Sequence, residues 1–331
     1  MRIVIDGFGG DNAPDEILKG TVMARQQLGG EYIITGSPEL IRQSAERCCL
    51  DLAGITIQPA SQIVDMHDDA KCVLKEKSDS SLSVALRMLA DGQADALVSA
   101  GPTGAILMGA TLIVKRIKGV RRPALAPVMP GLKGPFMLID CGANVECRPD
   151  MLVQFALLGS IYMKKMFGID KPSVGLANNG AEDTKGLDLQ IETYRLLAAD
   201  ERVNFTGNAE GRDIPMGDFD VVVTDGFTGN MILKVSEGLG LSLLRQLKGM
   251  LTRNWRTKIA ALLLRSELGE FRDHNDHEKV GGAPFIGVRK PVIKAHGSAK
   301  EKAFFNAIRQ AIQWSSSGVS EEIEKAFAQY E

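Results

Sequence analysis

From its first residues to about position 240, the chain alternates short apolar, β-branched runs with amphipathic stretches of helical length. The runs "RIVID", "EYIITG", "ITIQPA", "ADALVSAG", "ALAPVMP", "PFMLIDCG", "PSVGLANNG", "VNFTGNAEG" and "FDVVVTDGF" read as strands. Helical periodicity falls between them at 15–28, 38–53, 80–92, 103–117, 150–167 and 186–199. Buried strands spaced by helices predict an α/β fold, a three-layer α/β/α arrangement around a mainly parallel central sheet. One α/β domain over 1–331, with room for two lobes, accommodates this length. The rhythm breaks at 240–278, where Leu247, Leu251, Trp255, Ile259, Leu262 and Leu263 keep helical spacing. Basic residues are interspersed there, which predicts a basic amphipathic helical insertion for dimer or membrane contact. A helix over about 299–314 and a polar tail close the chain.

Chemistry concentrates where strands end. "DGFGGDN", "SAGPTGA", "DCGANVE", "NNGAEDTKG" and "DGFTGN" each combine glycine with acids, amides or hydroxyls before a helix. In parallel sheets such turns gather at the carboxyl edge, where helix N-termini present backbone N–H groups to ligands. The expectation is one shared crevice lined by these turns.

Several functions are excluded by pattern. The first turn has Gly7 and Gly9, but Asn12 stands where a dinucleotide fingerprint needs its third glycine. The second strand ends in Gly36 in place of the ribose-binding acid. No G-x-x-x-x-G-K-[ST] loop and no G-x-S-x-G elbow occurs. His274 and His277 in "DHNDH" come nearest to metal spacing, and no metal is expected. The net charge of −2 does not suggest a nucleic-acid partner. Five cysteines without a C-x-x-C pair read as reduced thiols in a cytosolic protein. The opening lacks a signal-peptide pattern, and no run reaches the ~18 apolar residues of a spanning helix.

"DGFGGDNAP", "SAGPTGA", "DCGAN", "DTKG", "DGFTGN", "GGAPFIGV" and "KAHGS" occur in the order and at about the spacing of one bacterial family. From Asp6 to Ser298 the chain resembles the acyl-ACP:phosphate acyltransferases of phospholipid synthesis. It departs from them at Phe8, where a methionine is usual, at Pro102, where an asparagine is usual, and in the "NNGAED" turn. The resemblance implies an isocitrate/isopropylmalate dehydrogenase-like fold, homodimeric, related to phosphotransacetylases and working without a cofactor. It further implies a long-chain acyl group on acyl carrier protein as donor and inorganic phosphate as acceptor. The product would pass to a membrane glycerol-phosphate acyltransferase, from a cytoplasmic enzyme peripheral to the inner face of the membrane.

Phosphate is already an anionic nucleophile, so such a site needs cations and donors more than an activated side chain. On the matching motifs, Lys185 is the candidate phosphate-binding cation and Asn230 polarises the carbonyl or holds phosphate. His296 is the candidate acid for the departing thiolate. Asp225 orients its turn or caps a helix near Thr228, Asp11 and Asn12 brace the crevice, and Thr103, Gly104 and Asn144 offer further donors. Acyl carrier protein is acidic and needs a basic dock. Arg116, Lys118, Arg121 and Arg122 form one basic concentration, and Arg253, Trp255, Arg256 and Lys258 belong to another that suits carrier protein or anionic lipid. Three other readings stay open: an acyl-CoA phosphotransacetylase, a metal- and NAD-dependent dehydrogenase of the same fold, and a non-catalytic carrier-protein scaffold.

Overall fold

The computed structural model describes residues 1–274 and 281–328, without the side chains of 270 and 272–274. The strands are β1 (Arg2–Asp6), β2 (Glu31–Gly36), β3 (Ile55–Pro59), β4 (Ala96–Ser99), β5 (Ala124–Leu125), β6 (Val128–Met129) and β7 (Phe136–Ile139). They continue with β8 (Ser173–Asn178), β9 (Asn204–Glu210), β10 (Val221–Val223), β11 (Ala283–Ile286) and β12 (Val292–Lys294). The helices are α1 (Asp15–Leu28), α2 (Pro38–Arg47), α3 (Ser81–Ala90), α4 (Thr103–Gly109), α5 (Pro149–Phe167) and α6 (Asp188–Ala198). After these come α7 (Gly226–Leu251), α8 (Trp255–Leu263), α9 (Arg265–His274), α10 (Glu301–Ser317) and α11 (Val319–Phe327).

The α/β class and the prevalence of parallel strands are as the pattern predicts, but the strands form two sheets. One has the order β3-β2-β1-β4-β12-β11-β5 and the other β6-β7-β10-β8-β9. "ALAPVMP" is the reason. It is two strands, because Pro127 has no N–H to donate and the chain changes sheets around it. β5 pairs with β11, and β6 pairs with β7.

A single apolar core nevertheless crosses both sheets, taking in Ile3, Ile5 and Val98 on one side and Ile139, Val174 and Val221 on the other. Helix α5 is buried without interruption from Met151 to Met163, as a helix packed on several sides must be. Gly159 lets it approach closely, since a Cβ there would lie 2.6 Å from a Val221 methyl. From its far side Tyr162 meets Trp314 of α10 edge-to-face at 5.6 Å and accepts a hydrogen bond from Gln310 Nε2 at 3.0 Å.

Several boundaries differ from expectation for visible reasons. The stretch 38–53 is helical only to Arg47, because Cys49 adopts a left-handed φ of 54°. The stretch 103–117 turns π-helical at Ala110 and ends at Lys115, with φ 75°. The helical break expected at 240 lies inside α7, which begins at Gly226. His277 lies outside the described residues, as does the end of the 240–278 insertion. The expected polar tail is mostly the helix α11: Gly318, with φ 74°, ends α10, and Val319, Ile323 and Phe327 then bury one complete face.

Phe327 is fully buried, against Gly119 among others. Phe327→Ala should therefore destabilise the protein by about 3–5 kcal/mol, the usual cost of emptying a buried aromatic site. Urea unfolding would read it as a lowered midpoint at unchanged slope.

Candidate active site

Three neighbouring parallel strands, β1, β4 and β12, bring their carboxyl ends to one edge of the seven-stranded sheet. Asp6, at the end of β1, is buried and accepts hydrogen bonds from Ser99 Oγ at 2.7 Å and Phe8 N at 3.3 Å. Burial pushes its pKa up despite these donors. Gly9 packs so closely over this carboxylate that a Cβ would lie 2.6 Å from Asp6 Oδ2 and from Gly101 N. Asp11 N donates to Gly297 O at 2.8 Å and Asn12 Nδ2 to Ser298 O at 3.1 Å, so the first turn is latched to the last one. Thr103 and Gly104 open α4 on the same edge, and Pro102 stands at its N-cap, where a missing N–H disturbs least. Phe8 covers Gly36 so closely that a Cβ there would sit 2.2 Å from its ring. An aromatic side chain thus fills the place where a dinucleotide fold puts its ribose acid.

In the five-stranded sheet β7, β10 and β8 are likewise parallel neighbours. Asp140, fully buried after β7, accepts hydrogen bonds from Leu125 N (2.9 Å), Ala143 N (3.2 Å), Asn144 N (2.6 Å) and Asn144 Nδ2 (2.9 Å). Burial nonetheless raises its pKa to about 6. Asn144 Nδ2 also donates to Pro123 O at 2.8 Å, and Asn144 O receives Gly226 N at 2.7 Å. The amide hydrogens of Asn144 therefore serve the scaffold. Asp225 caps α7 through Thr228 N (2.9 Å) and Thr228 Oγ1 (2.7 Å). Gly229 lies over Asp140 O, 1.9 Å from where its Cβ would be, so this turn admits no larger residue.

On that scaffold the next residue, Asn230, is exposed beside Gly142, and its amide has no partner among the described residues. On the adjacent turn, after β8, Lys185 runs its stem along Gly180 and is exposed without an ion pair among the described residues. Its backbone is pinned by Asn178 Nδ2 to Lys185 O (3.1 Å), and Asn208 Nδ2 holds Glu182 O of the same turn (2.8 Å). His296 is exposed, with Nδ1 engaged by Ser298 Oγ at 2.8 Å and Ser298 N at 3.3 Å.

Lys185, Asn230, Asn144, Asp225 and Thr228 thus share one sheet edge, while Asp11, Asn12, Thr103, Gly104 and His296 share the other. Lys294, at the end of β12, senses the charges of Lys234 and Glu237 on α7 and of Asp11, so the two edges come within electrostatic reach of one another. The polar turns therefore line two opposed edges. Sequence reasoning passed over Asp6, Asp140, Asn208, Lys234 and Lys294. The strand-final acids stood in the quoted motifs, but nothing in one sequence tells a buried acid that organises a turn from one that faces a ligand. Among the described residues no cluster of three His, Cys, Asp or Glu side chains is placed to hold a metal ion.

Two α/β sheets with cation, amide and helix N-termini at their carboxyl edges have the fold of the phosphotransacetylases. A phosphotransacetylase from Streptococcus pyogenes superposes with a TM-score of 0.65 at 17% identity, covering 95% of this chain and 94% of its own. A 4-hydroxythreonine-4-phosphate dehydrogenase from Klebsiella pneumoniae does so at 0.56 and 12%, covering 96% and 99%. A phosphate acyltransferase from Clostridium novyi (strain NT) is 44% identical over 330 residues, 99% of each chain. The family model described as "Fatty acid synthesis protein" matches residues 1–322, and the chain belongs to this family of acyltransferases.

The raised pKa of Asp140 makes a signed prediction. The folded state holds this proton to higher pH than the unfolded chain, so the resulting stability is present below about pH 4. It is lost as pH rises through about 6. Between pH 4 and 7.5 wild type should lose about 2.4 kcal/mol relative to Asp140→Asn, which carries no such proton. Paired urea melts at the two pH values measure the difference, and a constant gap would contradict the assignment.

Proposed function

We propose that this protein transfers a long-chain fatty acyl group from acyl carrier protein to inorganic phosphate. The observation that carries the reading is the pair Lys185 and Asn230, a free cation and an unpartnered amide on neighbouring turns of one sheet edge. Its membership in an acyltransferase family supplies the reaction class. Phosphate is held by Lys185, and one of its oxygens attacks the thioester carbonyl. Charge develops on the carbonyl oxygen, which Asn230 Nδ2 meets without reorganising, because the turn is locked by Asp225 and Asp140. The carbon–sulfur bond then breaks, leaving acyl phosphate and the carrier-protein thiol.

Carrier protein as donor is supported by the loop 116–122. Lys118 and Arg122 are exposed there, Arg116 folds onto the carbonyls of Val120 and Arg121, and Arg121 pairs with Asp150 at 2.5 Å. Pro123 O, next in the chain, is hydrogen-bonded to Asn144, so a partner docked here sits beside the site. Helix α7 exposes Phe227, Met231, Val235, Leu239 and Leu243 at four-residue spacing, which supports a homodimer seam. Around α8, Trp255 is 67% exposed under the Arg256 guanidinium, and Leu262 and Leu263 are also bare. Arg253 and Lys258 flank these apolar groups with positive charge, a combination that suits peripheral contact with anionic lipid at the inner face of a membrane. No helix among the described residues is long and apolar enough to cross a membrane. Release there would hand acyl phosphate to a membrane glycerol-phosphate acyltransferase for phospholipid synthesis.

Purified protein with palmitoyl carrier protein and phosphate should release carrier thiol and acyl phosphate in equal amounts. Lys185→Ala should lower kcat/KM by about 100-fold or more, the scale of losing a transition-state charge contact. Preference for palmitoyl-CoA would favour the phosphotransacetylase alternative, and no phosphate-dependent turnover would refute the proposal. In the Lys118→Glu/Arg122→Glu variant, KM for the carrier-protein thioester should rise about tenfold while turnover of an acyl-CoA stays unchanged.

A further inference from the structure

Lys294 ends β12 in register with Ser99, whose hydroxyl donates to Asp6. Its side chain is half-buried, and burial desolvates the ammonium. Among the described residues it makes one hydrogen bond, to Ala295 O at 3.2 Å, and no ion pair. The charges that reach it come from both sides: Asp11 on the first turn, and Lys234 and Glu237 on α7. Lys234 stands one helical turn beyond Asn230, and its ammonium is already spent on Glu237 at 2.8 Å. Of these two lysines, Lys294 is therefore the one with N–H groups to spare. His296, two residues on, faces solvent and is tied to its own loop.

The placement of these groups separates two tasks. Lys185 lies on the β8 side of Asn230, and Lys294 ends a strand of the other sheet. With the carbonyl held at Asn230, nucleophile and leaving group would approach and depart on different sides of it. We propose that Lys294 is a catalytic residue, the proton donor to the departing thiolate, an inference that rests on the acyl transfer proposed above. In the step, a phosphate oxygen lone pair forms the new bond to carbon and the carbon–sulfur bond breaks. The sulfur takes up that bond's electron pair and a proton from Nζ, and the neutral amine recovers a proton from water. An alkanethiolate is a poor leaving group, and an acid of matched strength helps it most. Burial and the neighbouring Lys234 lower the pKa of Lys294 to about 8, against the opposing pull of Glu237 and Asp11. That makes its ammonium a far better acid than an ordinary lysine at neutral pH.

The test compares decanoyl carrier protein with the decanoyl thioester of 4-nitrothiophenol, whose thiolate leaves without a proton. Lys294→Met should lower kcat about 100-fold or more with the carrier-protein thioester and less than about fivefold with the aryl thioester, leaving KM for phosphate unchanged. Lys294→Arg keeps the charge but gives up no proton, and should be as impaired as Lys294→Met. In the wild-type enzyme, kcat with the carrier-protein thioester should fall as pH rises through about 8, while the aryl thioester shows no such fall. Equal losses on both thioesters, rescue by arginine, or a defect confined to KM for phosphate would overturn the proposal. The wild-type profile decides it even if a variant fails to fold. Absence of phosphate-dependent turnover in wild type would remove the underlying reaction and this role with it. Normal wild-type turnover with an intact Lys294→Met enzyme would remove the role alone.

Discussion

The carboxylate of Asp140 is the junction on which the remaining architecture depends. One oxygen accepts the N–H of Leu125, from a strand paired into the seven-stranded sheet, and the other accepts two donors of Asn144. A buried carboxylate is costly unless several donors surround it, so the group holds both sheets to one geometry or loses its partners. Asn144 in turn receives Gly226 N, and Gly229 closes onto the Asp140 carbonyl. The start of α7, and with it Asn230, is placed by a chain of contacts that begins at one acid.

Asp6 plays a corresponding part on the opposite edge. It organises Ser99 and the first glycine turn, and that turn is latched to Gly297 and Ser298. Both acids sit where a parallel strand gives way to a helix. The polar groups of these edges are thus divided: buried acids shape the backbone, and Lys185 and Asn230 stay exposed.

Much of this was legible beforehand, for physical reasons that differ by element. Buried parallel strands such as β1 and β10 are short apolar runs, α1 carries a one-sided apolar face and α5 a long apolar stretch, so both classes announce themselves. The division into two sheets was not legible, because it turns on Pro127 redirecting a run that otherwise reads as one strand. Helix α11 was missed because Val319, Ile323 and Phe327 are sparse in a charged segment, and only packing reveals that they share a face. Lys185 and Asn230 were found through their motifs. Lys294 lies in the same motif as His296, and the charges of α7 and the first turn that reach it are a tertiary fact that no local pattern encodes.

Helix α7 has a mechanical consequence. Its 26 residues make a rod of about 39 Å with Asn230 and Lys234 near one end and the apolar, basic tip at the other. The clamp of Gly226 and Gly229 against the β7 turn acts as a fulcrum, and the arm beyond it has few neighbours of its own. A few degrees of tilt at the tip, imposed by whatever surface it meets, would register at the fulcrum as a fraction of an ångström in the position of the amide. The exposed apolar tip and the amide of Asn230 are thereby borne on one helix.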